Sequence, residues 1–149
     1  MDKMDQQILR ILQTDSSLSI SEIARKIGLS ASPCWKRINK LQNDGIIKSK
    51  IALLDGNLLG FGLTAYVSIK TGEHSREWLE EFSKTVTKMP EVMEFHRMAG
   101  DVDYMLKVVV SDIQAFDNFY KRLISSSSIN EVTSRFSMET IKETTALPI

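Results

Sequence analysis

The sequence predicts an α+β protein in two parts, a helical head and a body that mixes strands with helices. Apolar residues recur at helical spacing through the first 45 positions, whereas from residue 63 onward β-rich runs alternate with two helical patterns. Between them, Asp55-Gly56-Asn57-Leu58-Leu59-Gly60-Phe61-Gly62 places three glycines in eight positions with no period. Charge divides at the same point: residues 19–50 carry net +5 and residues 61–149 net −3, in a chain of 149 residues whose total is zero. The expected division is a head over 1–54, a hinge over 55–62 and a body over 63–149.

In the head, Met4, Ile8, Ile11 and Leu12 form one stripe on a first helix that Asp2 can cap. Ser19-Ile20-Ser21-Glu22 is a capping box for a second, whose inner face is Ile20, Ile23, Ala24 and Ile27. Gly28 sits where a left-handed C-terminal cap belongs, and only Leu29 separates it from the next start at Ser30. Pro33 falls within the first turn of the third helix, where a missing amide costs little. That helix runs to Asp44, with Cys34, Ile38 and Leu41 facing inward and Gly45 stopping it.

The opposite face of the third helix holds Ser32, Lys36, Asn39, Lys40 and Asn43, flanked by Trp35 and Arg37. Hydroxyl, amide and cationic groups are the types that read base edges and hold phosphates. Two short helices joined by a tight glycine turn, the second bearing such a face, predict a helix-turn-helix that enters the major groove of double-stranded DNA. Ile46 to Leu54 reads as a short β-hairpin with Lys48 near its turn, a wing that would touch phosphate. Cys34, on the inner stripe, reads as a packed thiol rather than a redox sensor.

The body reads as strand, helix, strand, strand, helix, strand. Leu63–Lys70 is a strand; Trp78, Leu79, Phe82 and Val86 mark a helix from Ser75 to Lys88; Val92–Met98 and Tyr104–Val110 form a hairpin. Asp112 caps a helix with Ile113, Phe116, Phe119, Tyr120 and Leu123 on its apolar face, and a last strand covers Glu131 to Thr140 with Val132, Phe136 and Met138 on one side. This is the ferredoxin-like βαββαβ plan behind a winged helix-turn-helix, with both helices on one face of an antiparallel sheet. Apolar or aromatic residues pointing the other way, such as Tyr66 or Phe95, then need a partner, and a homodimer supplies one. Such a dimer could also read the groove twice, ~34 Å apart.

Composition excludes other classes. An apolar share of 42% and a charged share of 26% are ordinary for a folded, water-soluble chain. No run is long enough to span a membrane and Met1-Asp2-Lys3-Met4-Asp5 is not a signal peptide, so a cytoplasmic protein without membrane contact is expected. One cysteine rules out an internal disulfide. The two histidines, His74 and His96, have no metal-ligand spacing, and no nucleophile elbow, phosphate loop or dinucleotide fingerprint occurs, which argues against an enzyme and against a metal or other cofactor. A metabolite-binding module without DNA contact is the remaining alternative, and the head argues against it.

Three segments, Leu29-Ser30-Ala31-Ser32-Pro33-Cys34-Trp35-Lys36-Arg37, Gly45-Ile46-Ile47 and Gly100-Asp101-Val102-Asp103-Tyr104, resemble the signatures of the Lrp/AsnC, or feast/famine, transcription regulators. The resemblance covers essentially the whole chain, spacing included. It implies a body that binds a free amino acid, builds dimers and often assembles them into octamers. It also implies an effector site at the subunit interface near Gly100, Asp101, Val102, Asp103 and Tyr104, with Met98 beside it. Amides in a tight glycine turn can hold a carboxylate and an aspartate can accept from an α-ammonium, although Gly-Asp is also an ordinary turn sequence. Ser32-Pro33-Cys34-Trp35-Lys36-Arg37 with Arg97-Met98-Ala99-Gly100 is similar to a branch linked to cysteine breakdown, which points to a sulfur amino acid as effector, with leucine or methionine next.

Overall fold

The head holds helices α1 (Lys3–Leu12), α2 (Ile20–Lys26) and α3 (Ala31–Asn43) in a computed structural model that describes residues 1–126 and 128–149. Each start is chemically marked. Asp2 and Asp5 cap α1 reciprocally, and Ser19 with Glu22 does the same for α2, so amides that a helix start leaves open are satisfied locally. Ser30 precedes α3 in extended backbone but gives no side-chain cap bond.

Ile8, Ile23, Ala24, Ile27, Cys34, Ile38 and Leu41 close the head's core. Leu9, absent from the expected stripe, is buried with them, while Met4 is only half-buried. A helix in a three-helix head is covered on more than one side, so its buried face is wider than a single stripe. The paired strands expected over Ile46–Leu54 are not formed: residues 48–55 carry no strand. Ile51, Leu53 and Leu54 are all exposed, and a two-stranded ribbon without an apolar surface to lie on is marginal in water.

The chain divides into two units, residues 1–53 with 141–149, and residues 54–140. Residues 141–149 group with the head in this division. Gln13 brackets Leu147, its Nε2 donating to the carbonyl at 2.8 Å and its Oε1 accepting from the amide at 3.0 Å. Arg10 Nε donates to the Ile149 oxygen, and the Ile149 side chain packs against the head's core.

The second unit contains β1 (Leu63–Lys70), α4 (Arg76–Val86), β2 (Val92–Arg97), β3 (Tyr104–Val110), α5 (Ile113–Ser125) and β4 (Glu131–Phe136). Its sheet is antiparallel in the order β2-β3-β1-β4. Ala65, Val67 and Ile69 of β1 and Leu106, Val108 and Val110 of β3 point to one face, where Phe82 and Val86 of α4 and Phe119 and Leu123 of α5 cover them. Both helices thus lie on one side, as the ferredoxin-like plan requires.

Three expected placements change. Phe95 points into this core, its ring 5.6 Å from Phe82 in an edge-on contact, and not toward the open face. The cause is a register shift between Val92 and Glu94, which places Met93 outside and brings both Val92 and Phe95 to the helix side. Ile113 is 60% exposed: as the first residue of α5 its side chain leans toward the helix start, past the packed turns. Met138 is exposed and lies beyond β4, which ends at Phe136, although the Ser137 amide still bonds Thr64 O at 2.9 Å. Tyr66 is exposed, as expected, on the face without helices.

Candidate DNA-reading face and effector loop

Gly28 has φ +71°, and a Cβ there would meet nothing within 4 Å, so backbone conformation rather than space demands the glycine. The Leu29 amide bonds Ala24 O at 2.9 Å, and the chain turns from α2 into α3. α3 then lies with Cys34 fully buried and Ile38 and Leu41 beside it. Its other side carries Ser32, Pro33, Trp35, Lys36, Lys40 and Asn43 exposed and Asn39 half-buried; Ser30 before it and Lys48 after it are exposed. Trp35 is 50% exposed on this side of the helix. Lys40 makes a 3.4 Å pair with Asp44, one turn on. Burial pushes the Cys34 thiol pKa up, the opposite of what a reactive thiolate needs.

Arg37 differs from its neighbours. It is half-buried, and its Nη1 lies 2.7 Å from both Asp2 Oδ2 and Asp5 Oδ1. Helical angle alone puts Arg37 on the flank of the outer face and does not reveal these partners, although the Asp-x-x-Asp spacing at the start of α1 is visible in the sequence.

In the body, Gly100 has φ +133° at the tip of the β2–β3 hairpin, with open space where a Cβ would stand. The Met98 amide donates to Asp103 O at 2.8 Å, closing the loop at its base. The two acids of the loop have different surroundings. Asp103 Oδ2 accepts from the Thr71 amide at 2.8 Å, holding the end of β1, whereas Asp101 is exposed. Met98 is exposed and Val102 half-buried. Tyr104 is a core residue, with its ring 5.6 Å from Phe82, 5.7 Å from Phe95 and 6.0 Å from Trp78. It supports the loop from behind. Among the described residues there is no cluster of three or more metal-ligating side chains and no helix long and apolar enough to cross a membrane.

A helix-turn-helix with an outward cationic and amide face, carried on a chain with a ferredoxin-like second unit, defines a DNA-binding regulator with a separate ligand-binding module. Residues 1–48 match the family model for winged helix-turn-helix DNA-binding, and residues 64–147 match that of the Lrp/AsnC ligand binding domain. The chain is 50% identical over 150 residues to the DNA-binding transcriptional activator DecR of Escherichia coli (strain K12), covering 100% of this chain and 99% of that one. It is 44% identical over 149 residues to a glutamate uptake regulatory protein of Zymomonas mobilis, with 100% and 91% covered. An AsnC family transcriptional regulator from Agrobacterium tumefaciens superposes with a TM-score of 0.97 at 54% identity, over 99% of this chain and 97% of that one. A transcriptional regulator of Neisseria meningitidis in complex with L-Met superposes with a TM-score of 0.95 at 33% identity, over 99% and 96%. The chain belongs to the Lrp/AsnC family of DNA-binding transcription regulators and is not an enzyme.

Proposed function

We propose that this regulator reads DNA through the outward face of α3 and that a free amino acid, bound at the β2–β3 loop of the body, changes its promoter occupancy. The observation that carries the reading is the division of α3: Cys34, Ile38 and Leu41 anchor it inward, and Lys36, Lys40 and Asn43 face solvent with Asn39 beside them. Lys36, Asn39 and Asn43 are suited to base edges. Ser30 and Ser32, at the uncapped start of α3, together with Lys40 and Lys48, are suited to phosphate, and Trp35 to sugar or thymine methyl.

For the effector, the free side of Asp101 suits an α-ammonium, the Gly100 turn a carboxylate, and Met98 with Val102 an apolar side chain. A sulfur amino acid is the first expectation, then leucine or methionine, and the L-Met complex of the Neisseria relative supports that chemistry. The face of the sheet without helices, with Tyr66 exposed, is the surface of a cytoplasmic homodimer that can assemble further toward an octamer. Effector binding near that surface biases the assembly and hence the spacing of two heads on DNA.

A thermal-shift screen of the twenty amino acids, followed by duplex binding with and without the hit, tests this reading. Selective stabilisation by a sulfur or branched aliphatic amino acid, with a change in DNA affinity, is the expected result. No stabilisation by any amino acid removes the sensor role.

A further inference from the structure

The guanidinium of Arg37 and two carboxylates of α1 form a closed polar unit in the head. Asp2 Oδ1 accepts from the Asp5 amide at 2.9 Å and its Oδ2 accepts from Arg37 Nη1 at 2.7 Å. Asp5 Oδ2 accepts from the Asp2 amide at 3.0 Å and its Oδ1 accepts from Arg37 Nη1 at 2.7 Å. All four carboxylate oxygens are therefore shared between the cap of α1 and one nitrogen of α3. Asp5 keeps only 14% of its side chain exposed and Arg37 34%.

The apolar contact of Cys34, Ile38 and Leu41 also holds α3; it resists withdrawal but is not directional. Charge-assisted hydrogen bonds to two fixed acceptors are directional. Because a helix turns as one body, fixing Arg37 fixes the rotation at which Lys36 and Asn39 meet a groove.

We propose that Arg37 is a positioning residue for DNA reading: it locks α3 to the first turn of α1 and makes no phosphate contact of its own. The proposal rests on the assignment of α3 as the reading helix. It has a consequence of unusual sign. Removing two acids near a polyanion normally strengthens binding. Here it weakens binding, because the acids hold the helix that reads.

The test uses the full chain and duplexes that it selects from a randomised pool, compared with a scrambled duplex across a salt series. The variants are Arg37→Gln, the double Asp2→Asn/Asp5→Asn, and the triple. Asparagine keeps an acceptor for each cap bond and removes the charge. Circular dichroism at the binding temperature checks folding, and Asp5→Asn alone, which leaves the Asp2 cap and one Arg37 bond, decides if the double variant unfolds. Arg37→Gln and the double variant should each lose roughly tenfold in preference for the selected duplex, with the triple no worse than either. The salt slope should be unchanged.

The double variant, or Asp5→Asn in its place, binding as well as or better than the unmodified chain overturns the proposal. So does a fall of about one unit in the salt slope with Arg37→Gln, which is the mark of a lost phosphate contact. Lys36→Ala separates the two levels. Lost affinity there, with none lost on removing the acids, refutes positioning alone; no sequence selected by the unmodified chain removes the reading on which it stands.

Discussion

Asp103 Oδ2 accepts the Thr71 amide at 2.8 Å, and through this bond the loop between β2 and β3 is tied to the end of β1. The backbone repeats the tie, since the Asp103 amide bonds Ile69 O at 3.0 Å. Asp103→Ala removes the acceptor and leaves a part-buried amide unpaired, at a cost of about 1–3 kcal/mol. A lower denaturation midpoint of the body is expected, and with it a smaller thermal shift on adding the effector, because the loop is less preorganised. Asp101→Asn should leave stability unchanged and weaken only the effector's shift; equal effects of both changes on stability would contradict the different roles.

Acid weakens the start of α1. The Asp5 amide and the Arg37 guanidinium hold the Asp2 carboxyl pKa below its ordinary 3.8, and the Asp2 amide with Arg37 does the same for Asp5 against the cost of its burial. A depressed folded pKa means stability that is present above the unfolded value and lost as pH falls through the folded one. The loss is therefore expected below pH 3.8 and not between pH 5 and 8. Amide exchange in α1 and α3 across an acid series measures it, and the Arg37→Gln variant, which keeps the two cap bonds but loses the guanidinium, should show a shallower slope than the unmodified chain.

The bracket on Leu147 ties the end of the chain to α1. Removing residues 147–149 loses both Gln13 bonds, the Arg10 bond and the packing of Ile149, and should destabilise the head by roughly 1–3 kcal/mol. Faster hydrogen exchange confined to α1–α3, with the body unaffected, is the expected pattern. Uniform loosening of both units would contradict it.

Lys48 is exposed on a segment without strand structure. Lys48→Ala should lower the salt slope of DNA binding by about one unit while leaving sequence preference alone, the behaviour of a phosphate contact. An unchanged slope removes Lys48 from the interface.

What was legible in the sequence follows from where the physics is local. Asp2, Ser19-Ile20-Ser21-Glu22, Gly28 and Gly45 mark helix ends through their own hydrogen bonds or dihedrals, and the structure has Gly28 and Gly45 at φ +71° and +73°. Cys34, Ile38 and Leu41 follow from periodicity alone. Alternation puts Phe95 on the open face because it assumes an unbroken ladder, and one extra residue at Met93 reverses which side follows it. The partners of Arg37 lie 32 and 35 positions away, and those of Leu147 and Ile149 more than 130, beyond the reach of any period. The hairpin over Ile46–Leu54 had the β-propensity of a strand but lacked the surface to pack on.

The proposed DNA reading needs the solvent side of α3 to enter a groove. Binding of the Lys36→Ala/Asn39→Ala variant to the selected duplex, with the scrambled duplex as reference, tests it most directly. A loss of about 1–3 kcal/mol for each base contact, larger on the selected than on the scrambled duplex, is the predicted result. Unchanged affinity and unchanged preference in a folded variant would contradict it.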